Sequence, residues 1–138
     1  MKRMNLFLLI FMMVAALQLA ACGPKPVSPE KINPSTLEKI EGSDLQRVIL
    51  TEKAAERIGV QTVPVSGLVV PYSAVIYDTE GNTWIYTNPA PLTFLREQVV
   101  IDRIEGNEAF LSQGLESDAP IVTVGVIEIY GAETGVSK

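Results

Sequence analysis

From Leu68 onward apolar and polar residues trade places with a period of two, the pattern of half-buried β-strands. Val69 to Asp78 is rich in Val, Ile and Tyr, and Thr79-Glu80-Gly81-Asn82 predicts a turn into a strand over Thr83 to Asn88. Pro89-Ala90-Pro91 predicts a break, because proline cannot donate to a ladder. A long strand is expected over Phe94 to Ile104. Glu97, Val99, Ile101 and Arg103 share one of its faces and Arg96, Gln98, Val100 and Asp102 the other, so only its middle is apolar on both sides. Glu105-Gly106-Asn107-Glu108 turns it into Ala109-Phe110-Leu111. Strands over Ile121 to Val124 and Val126 to Tyr130 follow, with Gly125 placed for a bulge or kink.

Upstream, Arg47 to Leu50 reads as a short strand and Thr51 to Gly59 as a two-turn helix. Thr51 is positioned to cap the amide of Ala54, and Gly59 supplies a left-handed stop. Val60 to Val65 predicts a further strand, pushed to an edge or bend by Pro64. These elements predict a mainly β fold, a small antiparallel β-roll or barrel with one short helix, over residues 47–130. Residues 131–138 read as a flexible C-terminus.

The first residues carry a different pattern. Lys2-Arg3 is followed by twelve apolar residues, Leu6 to Leu17, and then by Leu19-Ala20-Ala21-Cys22. A basic start, a short apolar run and small residues before a cut make a signal peptide, and the run is too short for a spanning helix. The four residues ending at Cys22 resemble the bacterial lipobox. That resemblance implies a signal peptide over 1–21, cleavage between Ala21 and Cys22, and lipidation of the Cys22 thiol and amino group, palmitate being a typical acyl chain. Residues 22–46, with Pro24, Pro26, Pro29 and Pro34, read as a Pro-rich tether.

Charge and composition narrow the partners. The chain carries 11 basic and 16 acidic residues, and removing Lys2 and Arg3 makes it more acidic still. No clustered positive surface is available for nucleic acid or anionic lipid, so the membrane contact falls to the acyl chains, at about 0.8 kcal/mol per buried methylene. There is no histidine, and the single cysteine is consumed by the anchor. This excludes His-based triads, Cys nucleophiles, structural zinc and internal disulfides in the mature chain. No metal or small-molecule cofactor is expected, and no enzyme activity.

The remaining chemistry-bearing residues each have a bland reading. Tyr72, Tyr77, Trp84 and Tyr86 suit an aromatic contact surface or, more simply, sheet packing. The pairs Asp78 with Glu80, Glu105 with Glu108 and Glu116 with Asp118 fall in turns, where carboxylates are solvated and catalytic pKa separation is rare. Asp78, Glu80 and Asn82 are too few for a Ca²⁺ loop of the EF-hand kind. Gly106, Gly114 and Gly125 are not expected to form a phosphate loop, since no helix start is read after them.

Leu50 to Thr62 resembles the opening segment of the membrane-proximal domain in periplasmic adaptor subunits of tripartite efflux pumps, the membrane fusion proteins of the haemolysin D type. Val70-Pro71-Tyr72-Ser73-Ala74-Val75-Ile76, the Asp78 to Tyr86 hairpin, Arg96 to Ile104 and Gln113 to Gly125 are similar to successive later segments of that domain. In a full adaptor a lipoyl-like domain, a helical hairpin and a barrel separate the two halves. Here Thr62 and Val70 are separated only by Val63 to Val69, with Ser66-Gly67 at the join. The resemblance implies a lipid-anchored periplasmic interaction module docking on an inner-membrane transporter or an adaptor protein in transmembrane transport. A general envelope lipoprotein or remnant adaptor with a structural role is the alternative. Gly23 after the anchor points to the outer membrane and a pump partner to the inner, so both membranes stay open.

Overall fold

The computed structural model describes residues 33–65, 67–116 and 118–135. The expected signal peptide, the expected Ala21–Cys22 cleavage site and the expected tether up to residue 32 lie outside the described residues.

The strands are β1 (Ser35–Lys39), β2 (Gln46–Leu50), β3 (Gln61–Val63), β4 (Val69–Pro71), β5 (Val75–Tyr77), β6 (Thr83–Ala90), β7 (Thr93–Val99), β8 (Ile101–Glu105), β9 (Glu108–Leu111) and β10 (Ile121–Val124). Two α-helices, α1 (Glu52–Ile58) and α2 (Val126–Thr134), and a 3-10 turn at Tyr72–Ala74 complete the described elements. Seven strands form one antiparallel sheet, in the order β1-β2-β7-β6-β10-β3 with β5 also on β6; β4-β9-β8 form a second.

The expected β-roll or barrel is corrected by this topology. The protein is mixed α/β with two open sheets, because β1 and β3 remain as edges that do not pair with each other. Four of the five β1 residues are exposed, as are Gln61 and Thr62 of β3. Closing the sheet would turn polar side chains inward, and burying them without partners is costly.

α1 forms as its sequence predicts. Thr51 Oγ1 accepts the Ala54 amide at 3.2 Å, and Gly59 ends the helix at φ 70° with its own amide bonded to the Ala55 and Glu56 carbonyls. β3 takes the expected edge position just before Pro64.

Other elements differ from expectation. β6 runs through Pro89, which sits at a register shift between Thr87 and Ala90, where the ladder does not need its amide. The Asn88 amide side chain bridges this bulge, donating to the Ala90 and Thr93 carbonyls at 2.8 Å each. The long strand Phe94 to Ile104 breaks at Val100, where the chain leaves β7 for β8 of the other sheet. The amide and hydroxyl of Ser112 both bind the Val100 carbonyl, at 2.9 and 3.0 Å, and fix that corner. Within the stretch read as tether, β1 pairs with β2 over five positions, Ser35↔Leu50 to Lys39↔Gln46.

The largest difference is α2, a second helix where a last strand and a loose end are expected. Gly125, at φ 88°, halts β10 and turns the chain. Val126, Ile129 and Glu133 are the buried positions, spaced for one helical face. The helical period is hidden in the sequence because a carboxylate fills the third position.

Two apolar clusters follow from the alternation along β6. Tyr86 faces the helices, with Val48, Leu50, Ala54, Ile76, Phe94, Val122, Val126 and Ile129. Its neighbour Ile85 faces the small sheet, with Val70, Ala74, Val99, Ala109, Leu111 and Ile121. Successive side chains point to opposite faces, so this central strand divides the two cores.

Candidate functional site

Beyond the apolar packing, the helix side of the large sheet contains a charged node. Arg96 and Tyr86 are register partners on β7 and β6, and Glu133 descends onto them from α2. The Tyr86 hydroxyl donates to Glu133 Oε2, and Arg96 Nη2 lies 3.3 Å from Glu133 Oε1. The Glu133 side chain is only 4 % exposed and that of Arg96 14 %. Burial, then the bond to Glu133, pushes the Tyr86 phenol far above its ordinary range, so it stays protonated and donates. The Arg96 guanidinium carbon lies 4.4 Å from the Trp84 ring centre and 5.6 Å from that of Tyr130. Arg96 Nε is buried without a hydrogen-bond partner.

Trp84 extends the network to the β5–β6 turn. Its indole N–H donates to Asp78 Oδ2 at 2.9 Å. Asp78 also accepts from the Glu80 and Asn82 amides and from Asn82 Nδ2, at 2.8–2.9 Å. The Asn82 side chain foremost, then Trp84, hold this carboxyl far below the usual range. Asp78 is thus a turn-holding residue whose oxygens are already occupied by N–H donors. Among the described residues no group of three or more Asp, Glu, Cys and His is arranged to hold a metal ion.

The other paired carboxylates form no joint site. Glu105 and Glu108 are register partners at a hairpin end, and Glu105 pairs with Arg103 at 2.6 Å. The Glu116 amide donates to Glu97 Oε1, while Asp118 is exposed. A helix does follow Gly125, contrary to expectation, but this glycine serves packing. A Cβ there would stand 2.6 Å from Ile58 Cγ2.

The four aromatics divide. Tyr86 is fully buried and Trp84 half-buried, whereas Tyr72 and Tyr77 are 39 % and 50 % exposed. A hydrogen bond to Tyr72 raises the Tyr77 phenol pKa. Tyr77 and the 56 % exposed Val100 line one shallow depression of about 420 Å³. A second, of about 470 Å³, is lined by the β1–β2 loop, Trp84 and the end of β7, and Gln98 belongs to both. Sequence reasoning singles out neither Arg96 nor Glu133 as a site residue; the spacing of Val126, Ile129 and Glu133 is the available signal.

No family model matches the chain, and no curated protein or solved structure matches it. Among the described residues no helix is long and apolar enough to cross a membrane. The expected assignment to transmembrane transport is corrected on that finding: the described helices supply no membrane-crossing segment.

Proposed function

We propose that this chain is a non-enzymatic interaction module of a bacterial envelope, anchored by lipid on Cys22 and presenting its α/β domain to a partner protein on the periplasmic side. The observation that carries the reading is the Leu19-Ala20-Ala21-Cys22 motif after a basic and apolar leader. The order of adaptor-like segments from Leu50 to Ile129 supports an adaptor subunit or a transporter as the partner. The exposed Tyr72, Tyr77 and Val100 support a contact surface, since amphipathic aromatics are favoured where a partner covers them.

Cys22→Ser tests the anchor. The variant is expected to remain uncleaved or to leave the membrane fraction, and to lose labelling by radioactive palmitate. A mature, membrane-bound form without acyl chains refutes the anchor. A photocrosslinker at Tyr77 in intact membranes tests the partner: an adaptor or transporter subunit is expected, and recovery of peptidoglycan alone overturns that assignment.

A further inference from the structure

β7 has a strand on only part of its outer edge. Its register with β2 is Ile49↔Thr93, Val48↔Phe94 and Arg47↔Leu95, and it ends there. β7 continues to Val99, and β6 stays paired with it through Thr83↔Val99. Gln46, the first residue of β2, stands opposite Arg96 beyond the last paired position, so from Glu97 to Val99 the side away from β6 has no neighbouring strand among the described residues. At about 3.3 Å per residue this free edge is roughly 10 Å long.

The edge lies in a trough rather than on a convex surface. At one end Leu45, Trp84, Arg96, Glu97, Gln98 and Glu116 line the larger depression. At the other, Gln98 continues into the depression of Tyr77 and Val100. Alternate residues of an antiparallel strand direct their amide and carbonyl to opposite sides. The Leu50 amide binds the Leu92 carbonyl, so the even-numbered residues of β7 face outward to β2. By that alternation the main chain of Arg96 addresses Gln46 of β2, and that of Gln98 addresses the open side.

The charge of the trough selects its occupant. Its lining carries two carboxylates, Glu97 and Glu116, against the guanidinium of Arg96, which already faces Glu133. The exposed Glu41 and Asp44 of the β1–β2 loop add negative charge beside Ser43 and Leu45, which line the same depression.

We propose that the free edge of β7 accepts an extended, basic segment of a partner protein as an added strand, with Gln98 supplying main-chain bonds and the acidic rim the charge preference. This rests on the interaction-module reading above and names the surface and the peptide chemistry. Strand addition draws affinity from main-chain bonds and specificity from alternate side chains, so a mixed polar and apolar trough suits it.

Trp84 is the only tryptophan in the chain and lines this trough, so its fluorescence reports on events there. The probe is a synthetic ten-residue peptide of alternating lysine and valine, titrated into the full chain purified in detergent. A saturable change in Trp84 emission is expected, with affinity falling as salt is added. The same peptide with glutamate for lysine should bind at least about tenfold more weakly, and one with a central proline should not bind. The variant E41K/D44K, altered only in an exposed loop, should lose about tenfold in affinity for the lysine peptide. No saturable response, an equal response to the glutamate or proline peptide, or unchanged affinity in E41K/D44K overturns the proposal. None of these outcomes depends on Cys22, so failure here leaves the anchor to its own test.

Discussion

The two faces of β6 solve the same problem with different chemistry. On the Ile85 side the small sheet closes a cluster of Val, Ala, Leu and Ile side chains. On the Tyr86 side the helices close a comparable apolar cluster, but its margin contains the Arg96–Glu133–Tyr86 node. An apolar contact tolerates small shifts of its neighbours, whereas a buried ion pair holds only while every partner is in place. The comparison teaches that α2 is located by charge as well as by apolar burial: Val126 and Ile129 give it area, and Glu133 gives it a fixed position.

The largest expected effect is Arg96→Met, which leaves the buried Glu133 carboxylate without its counter-ion and should cost about 4 kcal/mol in urea unfolding. The double variant Arg96→Met with Glu133→Met should recover most of that loss, since two packed apolar side chains replace a buried pair at little cost. A double variant as unstable as the single one would mean that Arg96 acts through packing and not through charge.

Gly125→Ala ranks next. A Cβ 2.6 Å from Ile58 Cγ2, on a backbone at φ 88°, combines overpacking with left-handed strain. Together these should cost about 3 kcal/mol, read as a lower urea midpoint. An unchanged midpoint would show that the contact between Gly125 and Ile58 yields without strain.

Tyr86→Phe should cost about 2 kcal/mol, the scale of a hydrogen bond to a charged group. It also changes the pH profile in a defined direction. The folded phenol has a raised pKa, so its stabilising effect is complete below the unfolded value of about 10 and is lost as pH rises above it. The parent protein should lose stability steeply above that pH, and the phenylalanine variant should do so less. Equal alkaline slopes would remove Tyr86 from the account.

Ile85→Val, on the apolar side, should cost only about 1 kcal/mol and leave the pH profile unchanged. If it cost as much as Arg96→Met, the contrast between the two faces would collapse.

Much of this protein is legible along the chain. α1 with both caps, the edge position of β3 and the turn at Asp78 all depend on residues close in sequence, where propensity and capping act directly. The open topology, the corner at Val100 and α2 do not. Nothing between Phe94 and Ile104 states that Ser112 will hold the Val100 carbonyl, because the two meet only when β9 returns beside β8. Nor is a glutamate near the C-terminus recognisable as a core residue until Arg96 and Tyr86, from two other strands, are brought beneath it.

Sequence by itself determined the alternation that splits the core between Ile85 and Tyr86, the capped helix after Leu50, and the motif at Cys22. Tertiary structure alone decided that the sheets stay open, that the chain ends its described part in a helix, and that β7 keeps a free edge beside acidic side chains. The reason is range: local patterns set the conformation of neighbouring residues, whereas closure, edge pairing and the burial of a charge depend on distant partners meeting in space.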